Sequence, residues 1–160
     1  MQVLIVDDML DRQAELELAF MDKGFAVTST GSPDVAESSI RHGLVDLLVT
    51  AERVDGKLTH SLALLAEWRN PLVATILLTP RTDADVDELY LLLPSLHCIL
   101  APDTSPRLLT RFAIASVAGV TRTGAPMVLE QRMRVGDAAA APTFASTRSP
   151  EITAALEQVA

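Results

Sequence analysis

The sequence predicts an α/β fold, a doubly wound sheet of five parallel strands alternating with five helices. Short apolar runs recur along the first two thirds of the chain, each followed by a stretch of helical periodicity. Glycines and prolines stand at the joints between them. The first run, Val3–Val6, is apolar at every residue, the pattern of a strand covered on both faces.

Residues Leu10–Lys23 follow that strand and place Leu16, Ala19 and Phe20 on one helical face, with Gly24 as the stop. Phe25–Ser29 reads as the second strand. Ser32 is the expected N-cap of the second helix, with Pro33 at its first position and Gly43 after His42 at its end. Val45–Thr50 is the third strand. A loop containing Asp55-Gly56 leads to a helix at Thr59–Arg69, ended by Asn70-Pro71. Val73–Leu78 is the fourth strand and closes on Thr79-Pro80. Asp83–Leu93 is the fourth helix, stopped by Pro94. Leu96–Leu100 is the fifth strand, broken by Ala101-Pro102, and Ser105-Pro106 opens a fifth helix running to Ala118. Strand–helix alternation of this kind implies right-handed crossovers.

The 160 residues suffice for one domain and a tail, and 49% hydrophobic content supports a sizeable core. A net charge of −8 argues against direct nucleic-acid contact, because phosphates are repelled. Cys98 is the one cysteine, so neither an internal disulfide nor a cysteine zinc site is available. No apolar stretch approaches the roughly 20 residues of a membrane helix, and no signal peptide opens the chain. These features set a cytoplasmic expectation.

Beyond Gly119 the composition changes. Gly124, Pro126, Gly136, the Ala138–Ala141 run and Pro142 mark a linker over 120–147, with at most a short helix around Met127–Arg134. Ser149-Pro150-Glu151 starts another helix, within 148–160, in which Ile152, Leu156 and Val159 share a face. Alone it would be marginal in water, so it is expected to belong to a following domain.

Five βα units over residues 1–119, with Asp7-Asp8 closing the first strand, resemble the receiver domains of two-component response regulators, a flavodoxin-like (βα)5 family. The resemblance implies that Asp7 and Asp8 match an acidic pair that binds Mg²⁺ together with a phosphate-accepting aspartate after strand three. Thr79 matches the switch hydroxyl after strand four, and Pro102 the proline after strand five. Two positions depart from the pattern. The acceptor position, five residues beyond Asp46, is Ala51, and the lysine position is Ala101. Phosphoryl transfer needs an oxygen nucleophile and cations on the developing charge, and both fail. The loop before the third helix also reads as two residues longer than the family's.

What remains of the site carries modest expectations. Asp7 and Asp8 would hold Mg²⁺ only weakly without a third carboxylate, and chiefly suit a strand end facing a helix N-terminus. Thr79 is expected to satisfy backbone groups. Glu52, one residue past Ala51, should point to the opposite side by strand alternation. Only a local bulge would return it, and its longer arm would then imitate a phosphorylated aspartate. Cys98 stands where the family often carries a rotating aromatic. His42, His60 and His97 show no metal-ligand spacing. No further cofactor is implied.

Leu89–Leu93, apart from Tyr90, is all leucine and too apolar for a helix covered on one face. With Leu108 and Phe112 it predicts a homodimer interface on the fourth helix, fifth strand and fifth helix, using Leu89, Leu92, Leu93, Leu108 and Phe112. Ser149–Ala160 resembles the opening helix of the AAA+ domain of NtrC-type, sigma-54-dependent activators. With Asp7-Asp8-Met9-Leu10-Asp11-Arg12 it resembles their flagellar master-regulator branch. No Gly-x-x-x-x-Gly-Lys-Ser/Thr loop occurs, so ATP hydrolysis and enzyme activity are not expected. The leading expectation is a phosphorylation-independent dimerisation domain of such an activator, joined to a downstream AAA+ domain. The alternatives are a stand-alone adaptor and, least favoured, a small-ligand domain, whose phosphate would meet acidic residues where it needs amide donors.

Overall fold

The computed structural model describes residues 1–81 and 85–123. In chain order these form β1 (Gln2–Val6), α1 (Leu10–Met21), β2 (Ala26–Thr30), α2 (Pro33–His42), β3 (Leu47–Ala51), β4 (Arg53–Val54), β5 (Lys57–Leu58), α3 (His60–Arg69), β6 (Ala74–Leu78), α4 (Asp85–Leu92), β7 (Leu96–Leu100) and α5 (Pro106–Thr123). The five long strands make one parallel sheet in the order β2-β1-β3-β6-β7. Sequence and position agree: β3 and β6, at the centre, are buried at every residue, whereas edge strand β2 has no buried residue and ends in Thr28, Ser29 and Thr30.

Alternate residues of the strands build two cores. Val3, Ile5, Leu47, Val49, Ala74 and Ile76 meet Leu16 and Phe20 of α1 and Leu109 and Ala113 of α5. Leu4, Val6, Leu48 and Leu77 meet Ala36 and Ile40 of α2, Leu62 and Ala66 of α3, and Leu89 of α4. Each fully buried leucine or isoleucine contributes about 1.5–3 kcal/mol, so both faces of the sheet are anchored. At β7 the pairing passes from Thr75–Leu96 to Ile76–Cys98, leaving His97 as a bulge residue. Its ring Nδ1 lies 2.8 Å from the Ser95 carbonyl.

The expected strands and helices are present, with displaced ends. Helix α1 stops at Met21, and Gly24 takes the left-handed conformation (φ +80°) that turns the chain into β2. Ser32 occupies the N-cap of α2, but its side chain makes no capping hydrogen bond. Helix α5 continues through Gly119 to Thr123, so residues 120–123 are helical rather than linker. A mid-helix glycine costs only about 1 kcal/mol, too little to end a helix anchored in the core by Leu109 and Ala113. The β4–β5 hairpin was not anticipated; Asp55 (φ 50°) and Gly56 (φ 72°) form its turn, a strong two-residue hairpin signal. The rest of the expected linker, the Met127–Arg134 helix and the 148–160 helix lie outside the described residues.

The leucine run divides. Leu89 and Leu93, one turn apart, are 5% and 1% exposed and belong to the core. They are therefore not interface residues, because one helical face must cover the sheet. Leu91 and Leu92 point outward at 82% and 52% exposure. On α5, Leu108 is exposed, while Phe112 packs partly against the core.

Candidate functional site

At the C-terminal edge of the sheet, the chain ends of β1, β3, β6 and β7 bring together Asp7-Asp8, Ala51-Glu52, Thr79–Arg81 and Ala101-Pro102. The β3–β6 register pairs Ala51 with Leu78, and the Glu52 amide donates to the Leu78 carbonyl at 2.8 Å. The next cross-strand neighbours are thus Glu52 and Thr79, which share a face. The Thr79 hydroxyl donates to Glu52 Oε2 at 2.5 Å. The same oxygen of Thr79 accepts from the Arg81 amide at 3.1 Å, and Arg81 Nη2 lies 2.9 Å from Glu52 Oε1. That last contact is an ion pair without hydrogen-bond alignment, since Oε1 has no aligned donor. The expectation that Glu52 faces away from the site is therefore corrected.

The reason lies in how β3 ends. Leu48 and Ala51, three residues apart, sit in the same apolar cluster, which strict alternation does not produce. Past Ala51 the chain enters the hairpin, whose far end is tied back: Thr59 Oγ1 donates to the Ala51 carbonyl at 2.6 Å, and the Thr59 amide to the Glu52 carbonyl at 3.0 Å. Val54 is fully buried beside Ala51 in that cluster. Glu52 is thereby held over the sheet edge. His60 opens α3 next to it, its Nε2 3.9 Å from Glu52 Oε1, too far for a hydrogen bond. Burial holds the His60 pKa below its usual value, and the Glu52 charge only partly offsets this.

Asp7 is also internally engaged. It is buried, and Arg12 grips its carboxylate with Nε on Oδ2 and Nη2 on Oδ1, the latter at 2.7 Å. The Met9 amide donates to Oδ1 at 2.9 Å, and Gln13 Nε2 donates to the Asp7 carbonyl. Gly31 makes room for this packing, since a Cβ there would lie 3.3 Å from the Asp7 carbonyl oxygen. Asp8 is exposed and accepts from the Asp55 amide at 3.3 Å. Each buried carboxylate at the sheet edge thus carries its own arginine.

Solved structures place this architecture. The chemotaxis response regulator CheY4 of Vibrio cholerae is 14% identical, with a TM-score of 0.64 over 71% of this chain and 96% of that one. A CheY-like receiver domain protein from Methanospirillum hungatei gives 15% identity and a TM-score of 0.66 over 74% and 94%. The response regulator TrrA of Thermotoga maritima, solved with Mg²⁺ and BeF, gives 16% and 0.60 over 71% and 96%. The chain has the receiver fold. At these identities the likeness is one of fold. No protein-family model matches the sequence, and no curated protein matches it.

Within the receiver fold, the site residues read from the sequence fare differently. Thr79 does more than satisfy backbone, because its hydroxyl joins Glu52 to Arg81. Ala51 is buried and Ala101 exposed, and neither offers a nucleophile or a charge. Asp7 and Asp8 do not fit a divalent metal: both oxygens of Asp7 are already bonded by Arg12, and Ala51 supplies no third ligand. Among the described residues no group of three or more acidic, histidine or cysteine side chains could hold a metal ion. Sequence reasoning missed Arg12, Thr59, His60 and Arg81 as members of the site. Arg12 and Arg81 stand one turn or less beyond residues already singled out, which was the available signal. Cys98 is buried, and burial pushes its thiol up to about 12. Among the described residues no helix is long and apolar enough to cross a membrane.

Proposed function

We propose that this chain is a regulatory domain of the receiver fold that works without accepting a phosphoryl group. The observation that carries the reading is the pairing of Ala51, which has no nucleophile, with a Thr79 hydroxyl already bonded to Glu52. The regulatory role itself comes from the resemblance to receivers, whose fold the chain shares. Acetyl phosphate with Mg²⁺ should leave the intact mass of the domain unchanged. A stable gain of one phosphoryl group would overturn the reading.

The same proposal gives the domain a homodimer contact on α4, β7 and α5. Leu91, Leu92 and Leu108 support it, since each leaves apolar surface in water. Light scattering should show a concentration-dependent dimer that Leu92→Asp weakens. A monomer at high concentration, or a dimer indifferent to that substitution, would remove the contact. We further propose that the domain precedes the AAA+ ATPase of a sigma-54-dependent activator of the flagellar master-regulator type. The support is the Ser149–Ala160 helix pattern and the Asp7–Arg12 stretch. Coding sequence downstream of Ala160 should carry a glycine-rich phosphate loop with its lysine, and a stop there would favour the adaptor.

A further inference from the structure

Arg81 and Thr79 form the walls of an oxyanion cradle. The Thr79 hydroxyl and the Arg81 guanidinium converge on one carboxylate, and the His60 ring faces its second oxygen. Cation, hydroxyl donor and low exposure are what an oxyanion needs when it leaves water. Nothing external is needed to fill this cradle, because Glu52 reaches it from the neighbouring strand. The carboxylate is itself buried, so its charge depends on these partners.

We infer that this strand end is a self-liganded oxyanion site, in which Glu52 acts as a resident ligand fixing the start of the β6–α4 connection. Three links make the connection mechanical. The Thr79 amide is tied to the sheet through the Leu100 carbonyl at 3.0 Å. Its hydroxyl is oriented by Glu52 and accepts the Arg81 amide. Arg81, held at both its amide and its guanidinium, stands four residues before α4 begins at Asp85. With the carboxylate in place the backbone at 79–81 has one preferred arrangement. Removing the carboxylate leaves an empty cradle of carboxylate size that a small soluble oxyanion can enter. The inference rests on the reading that the domain takes no phosphoryl group, and it gives that reading a cause.

The test uses the whole chain with acetate and inorganic phosphate as probes. In Glu52→Ala, the Thr79 hydroxyl loses its hydrogen bond to a charged group and is no longer oriented to accept the Arg81 amide, which should exchange with solvent about ten- to a hundredfold faster. Amide shifts should move at Thr79 and Arg81. Acetate or phosphate should reverse both changes saturably, and should do nothing to the wild-type protein. Glu52→Gln serves if the alanine variant does not fold: its amide oxygen still accepts from Thr79, but Arg81 loses its counter-charge, so the shifts should centre on Arg81. Unchanged Arg81 exchange in Glu52→Ala, unchanged Arg81 shifts in Glu52→Gln, or shifts that neither anion reverses in Glu52→Ala, would overturn the inference. A phosphoryl adduct on the wild-type chain would instead defeat the proposed function, while leaving the cradle measurable in the variants.

Discussion

Arg12→Met is the substitution whose cost follows most directly from the structure. Asp7 is 1% exposed and the Arg12 side chain 21% exposed, and the two are joined by a two-pronged contact. Removing one partner of a buried pair costs about 3–5 kcal/mol, because the other charge stays behind uncompensated. Here the guanidinium is one-fifth exposed, and Asp7 keeps the Met9 amide as a donor. A loss at or below the bottom of that range, about 2–3 kcal/mol, is therefore expected. For a domain of this size that is a fall in Tm of about 10 °C. Urea unfolding of the wild type, Arg12→Met, Asp7→Asn and the double variant forms a thermodynamic cycle. The double variant should recover at least about 1 kcal/mol relative to the sum of the singles. Arg12→Met also frees Asp7 to act beside Asp8, so millimolar Mg²⁺ should raise its Tm more than that of the wild type. A loss below about 0.5 kcal/mol, the scatter of an ordinary surface substitution, or strict additivity across the cycle, would refute the claim that Arg12 neutralises Asp7.

Other expectations follow from single residues. His60 has a depressed pKa in the folded state, so its neutral form is favoured by folding. Its contribution is present above pH 6.5 and is lost as pH falls through the lower folded value, with a slope of at most about 1.4 kcal/mol per pH unit. Denaturant titrations should show that loss, and His60→Gln should flatten it; an unaltered pH profile in the variant would exclude His60 as the source. The Cys98 thiol, raised to about 12, should react with a thiol reagent at pH 8 roughly a thousandfold more slowly than an ordinary cysteine, and rapid labelling of the folded chain would contradict its burial. Trp68, the one tryptophan, is 74% exposed on α3. Its emission should remain that of a water-exposed indole as the domain associates; a concentration-dependent blue shift would move the interface to α3.

The alternation of strands and helices was legible because each central strand is apolar at four of its five residues and because glycine or proline closes most elements. The (βα)5 order followed from that alone. At the site, the sequence by itself names only residue types: alanine at 51 and 101 has neither a nucleophile nor a charge, whatever the geometry. Glu52 was misread because alternation was extended one residue past the end of β3, where the Thr59 hydrogen bonds and the buried Val54 have already bent the chain. The cue that could have found it was register: Ala51 pairs with Leu78, so Glu52 meets Thr79. Strand register depends on contacts far apart in sequence and cannot be read from either strand alone. Leu89 and Leu93 were misassigned for a simpler reason. A run of leucines says that a helix has more apolar residues than one face can bury, but not which of them face inward.

The central claim is that the edge of this sheet satisfies its own charges, Asp7 with Arg12 and Glu52 with Thr79 and Arg81, and so does not answer to a phosphoryl group. Titration of the isotope-labelled chain with beryllofluoride and Mg²⁺ tests it most directly. The account predicts amide shifts at Asp8, Glu52, Thr79 and Arg81 that stay where they are at every concentration. A saturable shift change centred on Asp8 and Thr79 would contradict it.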